Sequence, residues 1–273
     1  MRRAGIIKPI LLVGAGRMGS ALLKGWIAKG IGPIEIVEPK ASAPLRALVK
    51  SGGAKLRGDL SFAPKAVRAC VVALKPQILK TEAALLKPVA ESGALMISIA
   101  AGTSIKSLAK AWGPKARIVR AMPNTPGAIG RGITALYASP KATAADRALA
   151  EELLSALGQT IWVRREALVD AATAVSGSGP AYVFLLVEAI AQAAEAEGLP
   201  RDVAMKLARA TVSGAGALLD ADPRAAADLL RDVTSPGGTT EAALKVLMSD
   251  SGLAKLMARA ILAARKRAEE LSA

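Results

Sequence analysis

The sequence predicts a two-part chain: an N-terminal doubly wound α/β layer followed by an all-helical second half. Three observations carry this. Five apolar runs of strand length, IIKPILLV, IEIV, ACVVAL, ALMISIA and ARIVRAM, recur in the first half, separated by about 20 to 35 residues of helix-like pattern. They lack polar alternation, which suits strands covered on both faces, as in a parallel sheet between two helix layers. After residue 165 the strand runs stop and a helical period takes over. Finally, 273 residues at 52% hydrophobic but only 3% aromatic, with abundant alanine, give enough apolar surface for two cores and favour closely packed helices. The expected domains are therefore 1–165 and 166–273.

The first apolar run leads directly into GAGRMG and then into the amphipathic stretch SALLKGWIAKG. Gly14, Gly16 and Gly19 take the G-x-G-x-x-G spacing in its strand–turn–helix setting. Gly14 permits the tight turn, Gly16 lets the backbone approach a pyrophosphate, and Gly19 lets the helix pack on the strand. Phosphates would rest on the free N–H groups of the helix N-terminus, where the helix dipole favours negative charge. The expected fold is thus Rossmann-like and the expected cofactor a dinucleotide, NADP or NAD, held by Gly14, Ala15, Gly16, Arg17, Met18 and Gly19.

Glu38 follows IEIV at the strand end, close to 20 residues beyond the fingerprint, where a carboxylate accepts the ribose hydroxyls of NAD. Lys40 and Lys50 stand nearby in sequence and suit a 2′-phosphate instead, so the choice between NADP and NAD stays open, as does a simple solvated charge at Glu38. The third run closes on Ala73, Leu74, Lys75 and Pro76, at the sheet edge that faces the cofactor crevice; Lys-Pro also reads as the start of the next helix. ARIVRAM runs through Met122 into MPNTP, a rigid turn at a strand end. ITALYA adds a strand, and in SPKATAADRALAEELLSALG Thr143 and Asp146 form a capping pair with Gly158 as the stop. TIWV is the last strand signal.

The second half reads as helix after helix: AYVFLLVEAIAQAAEAEG, RDVAMKLARATVSGAGALL, PRAAADLLRDV, EAALKVLMSD and GLAKLMARAILAARKRAEEL. Their apolar arcs are wide and include small residues such as Gly214 and Gly216, so these faces want a partner, and a subunit interface is expected. Two segments interrupt the pattern. SGSGP reads as an N-cap before a long helix. TSPGGTT (234–240) places two glycines and a proline where the helical spacing resumes at once.

Charge and composition exclude several functions. The formal charge is +15, yet the basic residues are dispersed and not interleaved with aromatics, so no nucleic-acid partner is expected. The chain has no histidine and a single cysteine, Cys70, which removes imidazole-based triads, internal disulfides and zinc hydrolysis; no metal site is expected. Cys70 lies in an apolar run and reads as a core thiol. Lys8 and Pro9 interrupt the apolar start, and no apolar run reaches the roughly 18 residues of a membrane span, so a cytoplasmic protein is expected.

Four motifs, GAGRMG, RAMPNTP (120–126), VSGSGPAYVF (175–184) and TSPGGTT, resemble in order and spacing those of the Δ1-pyrroline-5-carboxylate reductases across nearly the whole chain. The resemblance implies reduction of a cyclic imine to L-proline by NADPH or NADH, and dimers, often assembled further into decamers, joined through the C-terminal helices. It implies that Thr240 contacts the substrate ring nitrogen, that Ser176 and Ser178 lie by the substrate, that Ala100 and Ala101 line the cofactor, and that Met122, Pro123 and Asn124 border the nicotinamide. The odd stretch then has a use. The backbone N–H groups of Gly237, Gly238 and Thr239, with Ser235 beside them, form a site for the substrate carboxylate, and Pro236 sits in the first helical turn. Two alternatives stay open here: a β-hydroxyacid dehydrogenase or imine reductase on the same framework, with Lys206 as the candidate catalytic lysine, or a dinucleotide-binding protein without turnover.

Overall fold

The computed structural model describes residues 8–62 and 66–272; residues 6 and 7 of the first apolar run lie outside them. Among the described residues, eight strands form one sheet. In chain order the first unit runs β1 (Ile10–Val13), α1 (Arg17–Ala28), β2 (Ile34–Val37), α2 (Ala43–Ser51), β3 (Lys55–Arg57), β4 (Ala69–Val72), α3 (Pro76–Glu82), α4 (Lys87–Glu91), β5 (Leu95–Ser98), α5 (Ile105–Trp112), β6 (Arg117–Met122), β7 (Gly132–Ala138), α6 (Ala144–Leu154), β8 (Gly158–Trp162) and α7 (Ala167–Ala172). The sheet order is β3-β2-β1-β4-β5-β6-β7-β8.

Residues along each central strand alternate between two cores. Ile10 and Leu12 of β1 pack with Leu22, Leu23 and Trp26 of α1 and Leu153 and Leu154 of α6 on one face. Leu11 and Val13 pack with Leu79, Leu86, Leu108 and Trp112 on the other. With both faces covered, β1, β2, β4 and β5 are buried along their whole length, which is why they read as apolar runs; the exception within β2 is Glu35, whose carboxylate pairs with Arg57. The indole N–H groups buried with them find carbonyls: Trp26 donates to Leu153 at 2.7 Å and Trp112 to Ala83 at 3.0 Å.

Two features depart from the sequence expectation. β3, of sequence KLR, is a short, partly exposed edge strand, too polar to stand out as an apolar run. β7 pairs antiparallel with β6, whereas the other neighbours are parallel. Only residues 123–131, with the single helical turn Thr125–Ile129, join β6 to β7, and so short a connection cannot carry a parallel crossover. The capping box at Thr143 and Asp146 is present in full, and Gly158, at φ +126°, opens β8.

By backbone contacts the described chain forms two compact units, one running up to Gly177 and resuming at Arg265, the other Ser178–Ala264. The second unit contains α8 (Gly179–Ala196), α9 (Arg201–Ala221), α10 (Ala226–Asp232), α11 (Thr239–Leu247) and the start of α12 (Leu253–Ser272). α8 and α9 pack against each other, and Ala191 of α8 and Ala204 and Ala208 of α9 are buried. Many large apolar side chains of this unit stay exposed, among them Phe184, Leu185, Leu218, Val246 and Leu256.

SGSG does not break the helix as an N-cap would. Residues Thr173–Gly177 form a π-helical turn that runs on from α7, and Ser178 caps α8 without a side-chain bond. Counted through this turn, Ala167–Ala196 is 30 residues long with a mean hydropathy of 1.4 over its most apolar window. By length and composition this one helix among the described residues reaches the size of a membrane span, contrary to the expectation that none would.

Candidate active site

The fingerprint glycines each have a separate physical reason. Gly14 sits at φ +87°, and a Cβ there would lie 2.9 Å from the Ala73 carbonyl oxygen. At Gly19 a Cβ would fall 2.2 Å from the Gly14 carbonyl oxygen, so α1 can approach β1 only without one. At Gly16 a Cβ would meet nothing within 4 Å, and this glycine is exposed at the N-terminus of α1. No side chain caps α1, and helix geometry leaves the first-turn N–H groups of Arg17, Met18 and Gly19 without intrahelical partners. An open cradle, uncapped amides and the positive end of a helix dipole fit a dinucleotide pyrophosphate.

Around this cradle the sheet edge collects the other expected cofactor residues. Gly14 N–H donates to Val37 O at 2.9 Å and Ala73 N–H to Val13 O at 2.8 Å, extending the β2-β1-β4 ladder into the turns. Ala15 N–H donates to Glu38 Oε2 at 2.8 Å, and Glu38 Oε1 accepts Lys40 N–H at 3.0 Å. Leu74 and Lys75 precede α3, with Lys75 at its N-cap and Pro76 at its first position. Ala100, buried, and Ala101 follow β5 and lead to Gly102 at φ +61°, where a Cβ would lie 2.8 Å from Leu271 Cβ.

Met122 ends β6, Pro123 is buried after it, and Asn124 Oδ1 accepts Ile133 N–H at 3.0 Å. That bond ties the turn of the MPNTP segment to β7. The first unit also brings two motifs together, because a Cβ on Gly177 would lie 2.8 Å from Met122 Cε. The π turn therefore packs its glycine on the strand end that carries Met122. Ser176 Oγ donates to Ala172 O at 2.9 Å.

Beneath this edge lies a buried ionic cluster to which the sequence reading gave no role. Arg120, 3% exposed at its side chain, sits 2.6 Å from Asp170 Oδ1 and 3.2 Å from Glu166 Oε1. It also donates to Ser272 Oγ at 3.1 Å, while Ser272 donates to Asp170 at 2.9 Å. Glu166 Oε1 in turn accepts Ile105 N–H at 2.7 Å, at the start of α5. One arginine so joins β6, α7, α5 and the end of α12. An arginine in the middle of ARIVRAM, Arg120, with Arg117 at its start, was the available signal, since a buried charge demands partners. Cys70 is fully buried, and desolvation pushes its thiol well above the usual range.

In the second unit, Pro236 and Gly237 are the central residues of a tight turn closed by Gly238 N–H donating to Ser235 O at 3.1 Å. Gly237 is at φ +71°, so this is a type II turn with proline and glycine in their preferred places. Pro236 thus precedes α11 and does not stand in its first turn. Gly237 N–H donates to Glu241 Oε2 at 2.6 Å. Of the three amides expected to face a carboxylate, those of Gly237 and Gly238 are engaged within the loop. The free donors are the first-turn amides of Thr239, Thr240 and Glu241, because Gly238 caps α11 with no side chain. A Cβ on Gly238 would lie 2.5 Å from Ser235 Oγ and 3.0 Å from its carbonyl oxygen. Lys206 lies on α9, in the same unit.

Comparison with known proteins identifies the family. Residues 166–271 match the pyrroline-5-carboxylate reductase dimerisation family, and residues 9–102 the family of coenzyme F420-dependent NADP oxidoreductases. A pyrroline-5-carboxylate reductase of Pseudomonas aeruginosa is 40% identical over 266 residues, covering 96% of both chains. The structure of one from Coxiella burnetii superposes with a TM-score of 0.90 at 37% identity, over 97% of this chain and 99% of that one. A Plasmodium falciparum pyrroline carboxylate reductase with NADP bound gives a TM-score of 0.82 at 26% identity, over 97% and 98%. Similarity over nearly the whole length, through both the fingerprint and the helical half, shows that the chain belongs to the pyrroline-5-carboxylate reductase family.

Proposed function

We propose that this chain reduces the cyclic imine 1-pyrroline-5-carboxylate to L-proline with NADPH or NADH, the last step of proline biosynthesis. The observation that carries the reading is the uncapped N-terminus of α11 behind the Ser235–Gly238 turn, with Thr240 in its first turn, in a chain similar throughout to reductases of this imine. The reduced nicotinamide supplies the hydride. The chain's residues do the rest by binding and orientation.

Gly14, Ala15, Gly16, Arg17, Met18 and Gly19 form the pyrophosphate cradle, with Glu38 on the ribose. Ala73, Leu74, Lys75, Pro76, Ala100, Ala101, Met122, Pro123 and Asn124 line the remainder of the cofactor crevice. The amides of Thr239 and Thr240 receive the substrate carboxylate, Ser235, Gly237 and Gly238 shape the turn that presents them, and Ser176 and Ser178 border the ring. Thr240 Oγ1 hydrogen-bonds the ring nitrogen, which carries the proton that makes the imine a good hydride acceptor. With no histidine in the chain, a hydroxyl that orients the ring suffices for this step.

The same reading makes 1–165 the cofactor domain and 166–273 the dimerisation and substrate domain. The exposed apolar faces of α8, α9, α11 and α12 support a homodimer, and we extend this to a decamer built from such dimers, in the cytoplasm. Neither nucleic acid nor membrane is a partner in this reading: the basic residues are dispersed along the chain, and the 30-residue apolar helix lies wholly within the segment that matches the dimerisation family.

The test uses reduced cofactor deuterated at the transferring position, incubated with enzyme and the imine. Proline carrying deuterium at the former C=N carbon is expected. Unlabelled proline, or none, would contradict the assignment.

A further inference from the structure

The structure assigns to Glu38 the choice between the two cofactors, and we infer that this chain takes NADH over NADPH. The inference rests on the dinucleotide reading above and deepens it. Both oxygens of the Glu38 carboxylate are held by backbone: Oε2 by Ala15 N–H at 2.8 Å and Oε1 by Lys40 N–H at 3.0 Å. Ala15 lies inside the fingerprint, between the turn glycine and the cradle glycine. The carboxylate therefore cannot swing aside without leaving an amide of the phosphate turn unpaired. Its place, at the end of β2 beside that turn, is where a dinucleotide's adenosine ribose lies.

An ionised carboxylate offers about four lone-pair sites and no proton. Two are taken by the backbone, and the remaining two match the two hydroxyl donors of an unphosphorylated ribose. A 2′-phosphate replaces one donor by a group of acceptor oxygens carrying a charge of about −1.5 to −2. Against Glu38 it would meet a fixed anion with nothing to donate.

The nearby cations do not reverse this. Arg57 is paired with Glu35 at 2.8 Å. Lys50 sits in the last turn of α2, seven residues beyond its first and about 10 Å away along the helix axis from the end nearest Glu38. Ser42 is committed as the N-cap of α2. Arg17, Lys40 and Arg46 are exposed, where solvent screens their attraction. The preference inferred here departs from the Plasmodium relative with NADP bound, which is 26% identical.

The test is equilibrium binding of NADH and NADPH to the intact protein, read by reduced-nicotinamide fluorescence at fixed ionic strength, alongside kcat/KM with each. Wild type should bind NADH at least about tenfold more tightly, since a 2′-phosphate would bring like charges together at Glu38. Glu38→Ser should weaken NADH and strengthen NADPH, moving the ratio of dissociation constants by about a hundredfold. Glu38→Gln, which keeps the side-chain shape, should move it in the same direction. Lys40→Ala should leave the NADH preference in place. Equal or tighter wild-type binding of NADPH would overturn the inference, as would an unchanged ratio in folded Glu38→Ser and Glu38→Gln; either leaves the reductase reading intact. Failure of folded wild type to bind either cofactor would instead overturn the dinucleotide reading and this inference with it.

Discussion

Replacing Arg120 by leucine tests how far a buried cluster outside the chemistry sustains the cofactor domain. The substitution leaves Asp170, whose side chain is 9% exposed, with Ser272 as its remaining side-chain partner, and strips Glu166 of its guanidinium. Breaking a buried ion pair from one side costs about 3 to 5 kcal/mol, because an uncompensated charge is left behind. All three tryptophans, Trp26, Trp112 and Trp162, lie in the first unit, so their fluorescence follows the unfolding of that unit alone. With a urea dependence of about 2 kcal/mol per molar, the midpoint should fall by about 2 M. Ser272→Ala, which removes one neutral partner, should cost only about 1 kcal/mol. Arg120→Leu combined with Asp170→Leu should recover more than half of the loss, since replacing a buried pair on both sides is often near neutral. A midpoint for Arg120→Leu within about 0.3 M of wild type would refute the reasoning.

Gly19→Ala places a Cβ 2.2 Å from the Gly14 carbonyl oxygen; we expect α1 to be pushed off the strand and reduced-cofactor affinity to fall by at least about tenfold, measured by fluorescence titration. Gly238→Val should raise KM for the imine severely while the cofactor dissociation constant stays at its wild-type value, because the new side chain collides with Ser235 within the second unit. Unchanged turnover at low imine concentration would remove the turn from substrate binding. Cys70, buried and with its thiol shifted upward by desolvation, should resist thiol reagents at pH 8 in the native protein and react stoichiometrically in denaturant; rapid native labelling would show that β4 is not covered as described.

The sequence made the central strands legible because burial on both faces leaves apolar runs, and it made the phosphate turn legible because each fingerprint glycine answers a distinct steric demand. β3 escaped notice because an edge strand of three residues, with Leu56 between two basic residues, carries no apolar pattern. The antiparallel β7 was hidden because an apolar strand reads the same in either direction; only the brevity of the 123–131 connection distinguishes the two. SGSG looked like a break, yet Gly177 is there for close approach to Met122, and the helical hydrogen bonding continues through it as a π turn. TSPGGTT was recognised as a unit, but its inner bonds were not. Glu241 reaching back to Gly237 N–H and Gly238 closing on Ser235 moved the free donors forward to Thr239 and Thr240. Arg120 was visible as a charge in an apolar run, while its partners lie 46, 50 and 152 residues away, beyond the reach of any local pattern.

The most direct test of the account is the loss of reduced-nicotinamide absorbance when purified protein is mixed with 1-pyrroline-5-carboxylate and NADH or NADPH in parallel. The account predicts rapid oxidation that depends on the imine and is faster with NADH at equal low concentrations. No oxidation with either cofactor, from protein that is folded and binds a dinucleotide, would contradict it.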